Sequence, residues 1–331
     1  MPGNWNGDYM TKWYASVNYG LEAIAGEIIK AHGAKNIKLL DSAVIFSCVH
    51  EINIKCINNL FIILSEMHSK SIAEAAKKVS RHSYSFPILN GKSFRVIVME
   101  SGKLCAISPN VMKDIEKNIS YHTQLTPNRA KPDIEIWLNR RNDGQTFFMV
   151  RVKKHRSFDK TLKRGELRPD IVDIMLHKAK ISKQSVVVDM FGGWGAIAAA
   201  VAKSGRYQKI YTGDINDECV KYQQERLKNV QNCIVQKWDA HNLPLEDTSI
   251  DAIITDPPWG EFEKINIRQF YDNFIREAFR VLRPGGSLVF LSSAYEEACS
   301  ALDKYGFVSS AIPLKINGKD THLFCAIIQE R

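Results

Sequence analysis

The chain has 331 residues, of which 45% are hydrophobic and 24% charged, as in ordinary globular proteins, and it is long enough for two or three domains. Lysine and arginine total 45 against 36 acidic residues, so the net charge of +9 favours a polyanionic partner. No apolar stretch approaches the length of a membrane span and no secretory signal pattern is present, which predicts a cytoplasmic protein that contacts no membrane.

The first half of the chain predicts a mixture of strands and helices. Apolar residues recur at helical spacing in some segments and form strand-like runs in others. The predicted helices cover residues 21–32, 52–62, 71–81 and 110–119, and the predicted strands cover 13–17, 44–48, 64–68, 93–98, 134–138 and 146–152. None of these segments carries a catalytic motif, so this half is predicted to bind or position a substrate.

From residue 169 onwards, strands and helices alternate, which predicts a doubly wound and mostly parallel sheet. The predicted helices cover residues 169–180, 196–204, 217–229 and 268–282, and the predicted strands cover 185–188, 210–212, 234–236, 250–255 and 287–291. Two further β-rich runs, 307–313 and 322–328, predict a closing antiparallel hairpin.

Acidic residues follow three consecutive strands of this predicted sheet: Asp189, then Asp214, then Asp239. The carboxyl ends of parallel strands share one edge, where ligands of such sheets bind. Asp189 could receive a cation such as the α-ammonium group of S-adenosylmethionine. Asp214 could bind two ribose hydroxyls, and Asp239 could accept from an adenine amine. Each acid alone is more often a helix N-cap or a turn residue, but three at successive strand ends indicate a cofactor site.

Gly193, Gly195 and Ala198 also satisfy the loose G-x-G-x-x-A pattern of dinucleotide-binding proteins. In that pattern the glycines begin where the strand ends, so that a pyrophosphate can approach. Here Asp189 precedes them and would repel a pyrophosphate. Asp214 would suit either cofactor, and the sequence favours S-adenosylmethionine over a nicotinamide or flavin.

The tetrapeptide Asp256-Pro257-Pro258-Trp259 follows the fourth strand, and its four residues are the predicted catalytic residues. The Asp256 carboxylate and the Pro257 carbonyl could accept both hydrogens of a planar amine, while Trp259 stacks on the attached base. Proline removes backbone donors, which leaves the carbonyls available as acceptors. The alternative is a simple Asp-Pro turn that ends the strand.

Basic residues concentrate between the two halves. In residues 151–168, eight basic and two acidic residues give a net charge of +6. The alternative to a phosphate-binding hinge is a solvated linker. The residues predicted to contact RNA phosphates are Lys153, Lys154, Arg156, Lys163 and Arg164.

These motifs resemble those of the class I, Rossmann-fold methyltransferases that modify amino groups of nucleobases. Residues 164–169 resemble the segment before the methyltransferase domain in the THUMP-containing RNA guanine-N2 methyltransferases. The resemblance implies an α/β fold: a Rossmann-like class I domain, mostly parallel with an antiparallel C-terminal strand, after two α+β domains. The implied domains are a ferredoxin-like domain (1–65), a THUMP RNA-binding domain (66–153), a basic linker (154–168) and the methyltransferase domain (169–331).

The resemblance also implies a function: transfer of a methyl group from S-adenosylmethionine to the N2 amine of a guanosine, in tRNA held at its acceptor end by the THUMP region. The implied cofactor-binding residues are Asp189, Phe191, Gly192, Gly193, Gly195, Asp214, Ile215, Asp239, Ala240 and Asp256.

Four alternatives stay open on the sequence alone. Trp259 stands where relatives often carry Phe, Tyr or His, and Asp-Pro-Pro-Trp also occurs in enzymes that methylate adenine N6. Ribosomal RNA is a second candidate substrate, and a non-catalytic RNA-binding protein is a third interpretation. A small activating subunit is not excluded. No metal is predicted, since the seven cysteines include no C-x-x-C pair.

Overall fold

The computed structural model describes residues 10–52, 54–87, 90–154, 162–258, 266–316 and 318–329. The chain divides into two compact units, and each is described here by itself. The N-terminal unit contains residues up to 17 together with 29–155, and the C-terminal unit contains 18–28 together with 156–331. No helix in the described ranges combines the length and the apolar character needed to cross a lipid bilayer.

The N-terminal unit is built on one sheet of nine strands. The strands are β1 (Thr11–Ser16), β2 (Lys35–Leu40), β3 (Ala43–Cys48), β4 (Asn59–His68), β5 (Ser93–Glu100), β6 (Lys103–Leu104), β7 (Thr126–Pro127), β8 (Ile134–Arg140) and β9 (Gln145–Lys154). Their order is β2-β3-β1-β4-β9-β8-β5-β6, with β7 beside β5. The β5–β8 and β5–β7 pairs are parallel and the other pairs are antiparallel, so this sheet is mixed.

Two helices of this unit, α2 (Ile72–Arg81) and α3 (Pro109–Thr123), pack with the sheet around one apolar core. The Ser71 hydroxyl caps α2 by accepting from the Glu74 amide at 3.2 Å, which satisfies a helix N–H that has no partner within the helix. The buried residues of α2 are Ile72, Ala75, Ala76 and Val79, which are the apolar positions of the helical pattern.

The predicted helix at 52–62 is wrong. Residues 59–62 belong to β4, which pairs with β1 on one side and β9 on the other. Leu60, Phe61 and Ile62 are all buried, so the strand shows a continuous apolar run instead of an alternating one. A short continuous run cannot be assigned to strand or helix by its periodicity. The predicted domain boundary after residue 65 also lies inside β4, and the two-domain division of this half stays a prediction.

The C-terminal unit contains a seven-stranded sheet. Its strands are β10 (Val186–Asp189), β11 (Lys209–Asp214), β12 (Cys233–Lys237), β13 (Ile250–Thr255), β14 (Leu282–Ser292), β15 (Phe307–Ile316) and β16 (Lys319–Ile328), in the order β12-β11-β10-β13-β14-β16-β15. The pairs from β12 to β14 are parallel, and β16 is antiparallel to both of its neighbours. The predicted α/β fold with an antiparallel C-terminal hairpin is therefore confirmed.

Among the described residues, α4 (Pro169–Ala179) precedes this sheet. The helices between its strands are α5 (Ala196–Ser204), α6 (Asp217–Leu227), α7 (Ile267–Val281) and α8 (Tyr295–Lys304). The sequence analysis did not predict α8. Most of α1 (Glu22–Ala31) also belongs to this unit, although in sequence it lies between β1 and β2 of the first sheet. Two contacts tie it there: Asn18 donates to Asp170 at 2.6 Å, and Lys178 contacts Glu27 at 2.8 Å.

Candidate active site

The candidate site lies where the parallel strands of the second sheet end. Asp189 is the last residue of β10, Asp214 is the last residue of β11, and Asp256 directly follows β13. The strand order reverses at β10, because the chain runs outwards from β10 to β12 and then returns to β13 on the other side. Open α/β sheets bind their ligands at such a switch point.

The Asp189 carboxyl is oriented by a hydrogen bond from the neighbouring strand β13. The Thr255 hydroxyl donates to Asp189 Oδ1 at 2.8 Å and accepts from the Phe191 amide at 3.0 Å, so the last residue of β13 orients the carboxyl at the end of β10. Asp189 is only 2% exposed. Its second oxygen, Oδ2, is buried and has no hydrogen-bond partner among the residues that the structure describes.

The electrostatic environment of Asp189 is unusual for a carboxyl group. Burial, together with the nearby carboxylates of Asp214 and Asp256, raises the pKa of Asp189 to about 8 against the opposing hydrogen bonds from Thr255 and the Phe191 amide. A cation placed against Oδ2 would remove this penalty, because it would supply both the missing partner and the compensating charge. Asp189 is therefore built to receive a cationic or hydrogen-bond-donating ligand group.

The glycine turn after β10 is bonded to the end of β11. The Gly193 amide donates to Asp214 Oδ2 at 2.8 Å, and the Gly193 carbonyl accepts from Gln223 Nε2 at 2.9 Å. The Gly192 amide donates to the Gly213 carbonyl at 2.7 Å. Asp214 Oδ1 also accepts from the Asn216 amide at 2.9 Å, which is the turn-residue role that the sequence left open.

Two glycines at this edge leave no room for a side chain. A Cβ atom on Gly192 would lie 2.5 Å from the Thr212 hydroxyl, and one on Gly213 would lie 2.1 Å from the Gln236 carbonyl and 2.8 Å from the Trp238 indole. Trp238 is buried and donates to the Met190 carbonyl at 2.9 Å. The strand ends are therefore packed closely enough for backbone to face a ligand directly.

The remaining predicted cofactor residues occupy different environments. Ile215, directly after Asp214, is 68% exposed, which leaves an apolar side chain available beside the strand edge. Asp239 is exposed, and its Oδ1 accepts from the His241 amide at 2.9 Å. Ala240 is buried. Phe191 packs its ring against Phe270 and Phe274 of α7, with ring centroids 5.6 and 5.4 Å apart, so the Phe191 side chain anchors the turn to the core.

The structure also places part of the predicted catalytic tetrapeptide. Pro257 is buried, Pro258 is exposed and Asp256 is intermediate, while Trp259 lies outside the described residues.

The Tyr271 hydroxyl is bonded to the Ser292 hydroxyl at 2.6 Å. Burial raises the pKa of Tyr271, and the Asp256 carboxylate raises it further, so Tyr271 stays a neutral hydroxyl. No group of three potential metal ligands occurs among the described residues.

The predicted RNA-binding residues are separated between the two units. Lys153 contacts Glu51 at 3.3 Å, whereas Lys154 is exposed at the end of β9. Lys163 and Arg164 are exposed residues of the C-terminal unit, and the Lys163 ammonium lies 5.5 Å from the centroid of the Trp194 ring. Arg156 lies outside the described residues.

Several residues at this site were not found from the sequence. Thr255 and Gln223 orient Asp189 and Gly193, and neither belongs to a recognisable motif. Glu166 and Arg226 contact each other at 2.6 Å beside the glycine turn. The only available signal was that Glu166 lies within the segment that resembles the methyltransferase family.

The sequence model of the UPF0020 family, described as an RMKL-like methyltransferase domain, matches residues 156–318. That range contains the second sheet from β10 to β14 and every acidic residue of the candidate site. Residues 156–318 therefore resemble a methyltransferase domain of this family. The coarser part of the predicted enzyme class, a methyltransferase, is confirmed, and the strand-end carboxylates lie within the matched residues.

Two curated relatives resemble the chain in sequence. A tRNA (guanine(6)-N2)-methyltransferase of Thermus thermophilus is 26% identical over 216 residues, which are 62% of this chain and 64% of that protein. The ubiquinone/menaquinone biosynthesis C-methyltransferase UbiE of Salmonella arizonae is 30% identical over 134 residues, which are 38% of this chain and 51% of that protein. The chain thus spans less than two thirds of the length of either relative.

One solved structure resembles nearly the whole chain. The crystal structure of TrmN from Thermus thermophilus superposes with a TM-score of 0.78 at 20% sequence identity, covering 97% of this chain and all of that one. At this identity the similarity shows the fold alone. It extends over both units, so the fold of each unit also occurs in that solved structure.

Proposed function

We propose that the chain is an S-adenosylmethionine-dependent RNA methyltransferase that methylates the exocyclic N2 amine of a guanosine in tRNA. The observation that carries the proposal is the position of Asp256-Pro257-Pro258 beside Asp189 and Asp214 at the switch point of the sheet. The relative from Thermus thermophilus, which shares 26% identity, supports the choice of tRNA and of guanine N2.

The chemistry of the residues at the strand ends suits S-adenosylmethionine. Asp189 offers a buried oxygen without a partner among the described residues, which suits an α-ammonium group. Asp214 would accept from the ribose hydroxyls, and Ile215, which is 68% exposed, would offer an apolar surface to adenine. Asp239 would accept from the adenine amine. When bound, S-adenosylmethionine supplies an electrophilic methyl group on a sulfonium.

The contribution of the chain is orientation. The lone pair of the guanine N2 amine is delocalised into the ring, which makes the amine a poor nucleophile. Hydrogen bonds to the Asp256 carboxylate and the Pro257 carbonyl would turn the amine out of the ring plane and aim its lone pair. A protonated aryl amine is strongly acidic, so its proton is lost without a tuned base. The base would be flipped out of any paired stem to reach Asp256, and Trp259 would stack on it.

RNA phosphates would be held by the predicted basic residues of both units, in particular Lys154, Lys163 and Arg164. The N-terminal unit offers a further surface on α3, where Tyr121 is 78% exposed. A surface cavity of about 550 Å³ beside Tyr121 is lined by Lys113 and Lys117 among others. Exposed aromatic rings next to lysines are the combination that single-stranded nucleic acids bind by stacking and charge.

Identifying the modified nucleoside tests the proposed function. Purified chain incubated with labelled S-adenosylmethionine and a tRNA pool is expected to yield N2-methylguanosine after digestion to nucleosides. N6-methyladenosine in the digest would show that the substrate base is adenine and not guanine. Labelling of ribosomal RNA fragments but not of tRNA would show that the substrate is ribosomal RNA. Labelling that requires added cell extract would indicate an activating subunit, and no labelling of any RNA under either condition would overturn the proposal.

The adjacent lysines at the end of β9 offer a matched test of RNA binding. Lys154→Gln is expected to weaken RNA binding and to reduce the slope of log affinity against log salt by about one, as loss of one phosphate contact should. Lys153→Gln should have a smaller effect, because Glu51 at 3.3 Å already neutralises much of its charge. Fluorescence anisotropy with labelled tRNA at several salt concentrations measures both slopes. Equal slopes for the two variants and the wild type would remove Lys154 from the RNA contact.

A further inference from the structure

Residues 163–166, in the basic connector, form a turn that closes on itself. The Glu166 amide donates to the Lys163 carbonyl at 3.0 Å, and the Lys163 amide donates to Glu166 Oε2 at 3.1 Å. Gly165 has a φ of +80°, in the left-handed region that glycine adopts without steric cost. The Glu166 side chain is therefore fixed within its own turn before it contacts any other element.

This turn is bonded to the glycine turn of the cofactor site through Trp194. The Trp194 indole Nε1 donates to the Arg164 carbonyl at 3.0 Å. Arg226 adds a second connection between the two turns, because its Nη1 donates to the Trp194 carbonyl at 2.7 Å and to Glu166 Oε1 at 2.6 Å. We call Glu166, Arg226 and Trp194 together the clasp.

Within the clasp, the Glu166 side chain is shielded from water and the Arg226 side chain is only partly shielded. The Glu166 side chain is 6% exposed and the Arg226 side chain is 31% exposed. The Lys163 ammonium lies over the rings of Trp194 and Tyr222, 5.5 and 5.3 Å from their centroids. A buried ion pair adds little net stability, because desolvation offsets most of its attraction, but it specifies geometry. The expected role of the clasp is therefore to position a neighbouring element.

That neighbouring element is the glycine turn. Trp194 stands between Gly193, which donates to Asp214, and Gly195, the N-cap residue of α5. Asp214 and Gln223 hold the turn at Gly193 from the sheet and from α6. The connector side of the clasp holds Trp194, the residue after Gly193. These contacts therefore restrain the turn on both sides of the Gly193–Trp194 peptide.

We propose that Glu166 and Arg226 are positioning residues for the cofactor site, which hold Trp194 so that the Gly193 amide and the Asp214 carboxylate keep the geometry that S-adenosylmethionine requires. This inference rests on the proposed function, because it assigns the glycine turn to that cofactor. It gives the connector a role in cofactor binding in addition to its predicted contact with RNA.

The test compares cofactor affinity with RNA affinity in two variants of the full chain. Glu166→Gln/Arg226→Gln replaces the pair by neutral amides, so no buried charge is left without a partner. Trp194→Phe removes the indole donor and keeps an aromatic ring beside Lys163. Calorimetry is expected to show S-adenosylmethionine and S-adenosylhomocysteine binding about tenfold more weakly in each variant, since each loses a contact that holds Trp194. The KM for the cofactor should rise, while the kcat at saturating cofactor and the RNA dissociation constant stay near wild type.

Lys228→Gln is the matched control, because Lys228 forms an exposed pair with Glu225 near the end of the same helix as Arg226. It should leave cofactor affinity unchanged. Wild-type affinity in both clasp variants would overturn the positioning role. A fall in kcat or in thermal stability without a change in cofactor affinity would also overturn it, since that result describes a merely structural contact. A wild-type chain that binds neither cofactor would instead overturn the proposed function itself.

Discussion

Asp256→Ala is expected to lower the kcat for RNA methylation by about a thousandfold or more, while the dissociation constant of S-adenosylmethionine changes by less than about threefold. The carboxylate is the only charged group in Asp256-Pro257-Pro258, and the proposed mechanism assigns it the orientation of the amine. Its removal leaves the Pro257 carbonyl as a single acceptor, which cannot fix the rotation of an amine that carries two hydrogens.

Single-turnover kinetics with saturating RNA, together with calorimetry of the cofactor, separates these two effects. Asp320→Ala is the control, because Asp320 is a surface acid whose side chain is 85% exposed and paired with Lys315. That variant should retain wild-type turnover. If Asp256→Ala loses cofactor affinity and turnover to the same extent, Asp256 belongs to the cofactor site and not to the orientation of the substrate amine.

Asp189→Asn is expected to act in opposite directions on cofactor binding and on stability. The substitution places a neutral amide where the cation needs a carboxylate, so S-adenosylmethionine should bind at least about tenfold more weakly. The ligand-free protein should become more stable near neutral pH, because the wild type must bind a proton at Asp189 in order to fold and the Asn variant need not. Functional sites often carry such a cost in stability.

The pH dependence of stability follows from the raised pKa. The pKa of Asp189 is about 8 in the folded protein against 3.8 for the ordinary group. Between these values the folded protein holds a proton that the unfolded chain has lost, so the free energy of unfolding falls as the pH rises. Relative to Asp189→Asn, the wild type should lose about 1.4 kcal/mol per pH unit across this window and nothing further above it. Urea unfolding of both proteins at several pH values measures the difference.

Cofactor binding should show the corresponding dependence. Asp189 must lose its proton to receive a cation, so wild-type affinity for S-adenosylmethionine should fall about tenfold from pH 7 to about pH 6. Asp189→Asn should show no such slope. Asp214 and Asp256 face the same group, and His241 contacts Asp239 at the same edge, so the comparison with Asp189→Asn is what assigns the proton. A wild-type affinity that is independent of pH in this range would contradict the assignment.

Part of the candidate site could be predicted because it follows from chain connectivity. In a parallel sheet the carboxyl ends of successive strands share one edge, so acids placed directly after strands must lie along that edge. Asp189, Asp214 and Asp256 satisfy this rule, and the confirmed strand order brings them to the switch point. The glycines near Asp189 could be predicted for the same reason, because a turn from a strand into a helix at a ligand site needs backbone with little steric bulk.

Other features depended on contacts between distant segments, which no local pattern reports. The strand at 59–62 was predicted as a helix because both of its faces are covered by other parts of its unit. The Glu166–Arg226 contact joins residues that are 60 positions apart. No local sequence pattern at either residue indicates that the other is its partner.

The sequence by itself determined the class of protein, the alternation of strands and helices in the methyltransferase domain, and the residue types along its ligand-binding edge. These are encoded in hydrophobic periodicity and in the position of each acid relative to its strand. Only the tertiary structure decided how those acids behave. The raised pKa of Asp189 requires burial beside two other carboxylates, and the clasp requires a connector, a turn and a helix to meet. Such properties arise from distances between side chains, which the fold sets and a linear pattern does not contain.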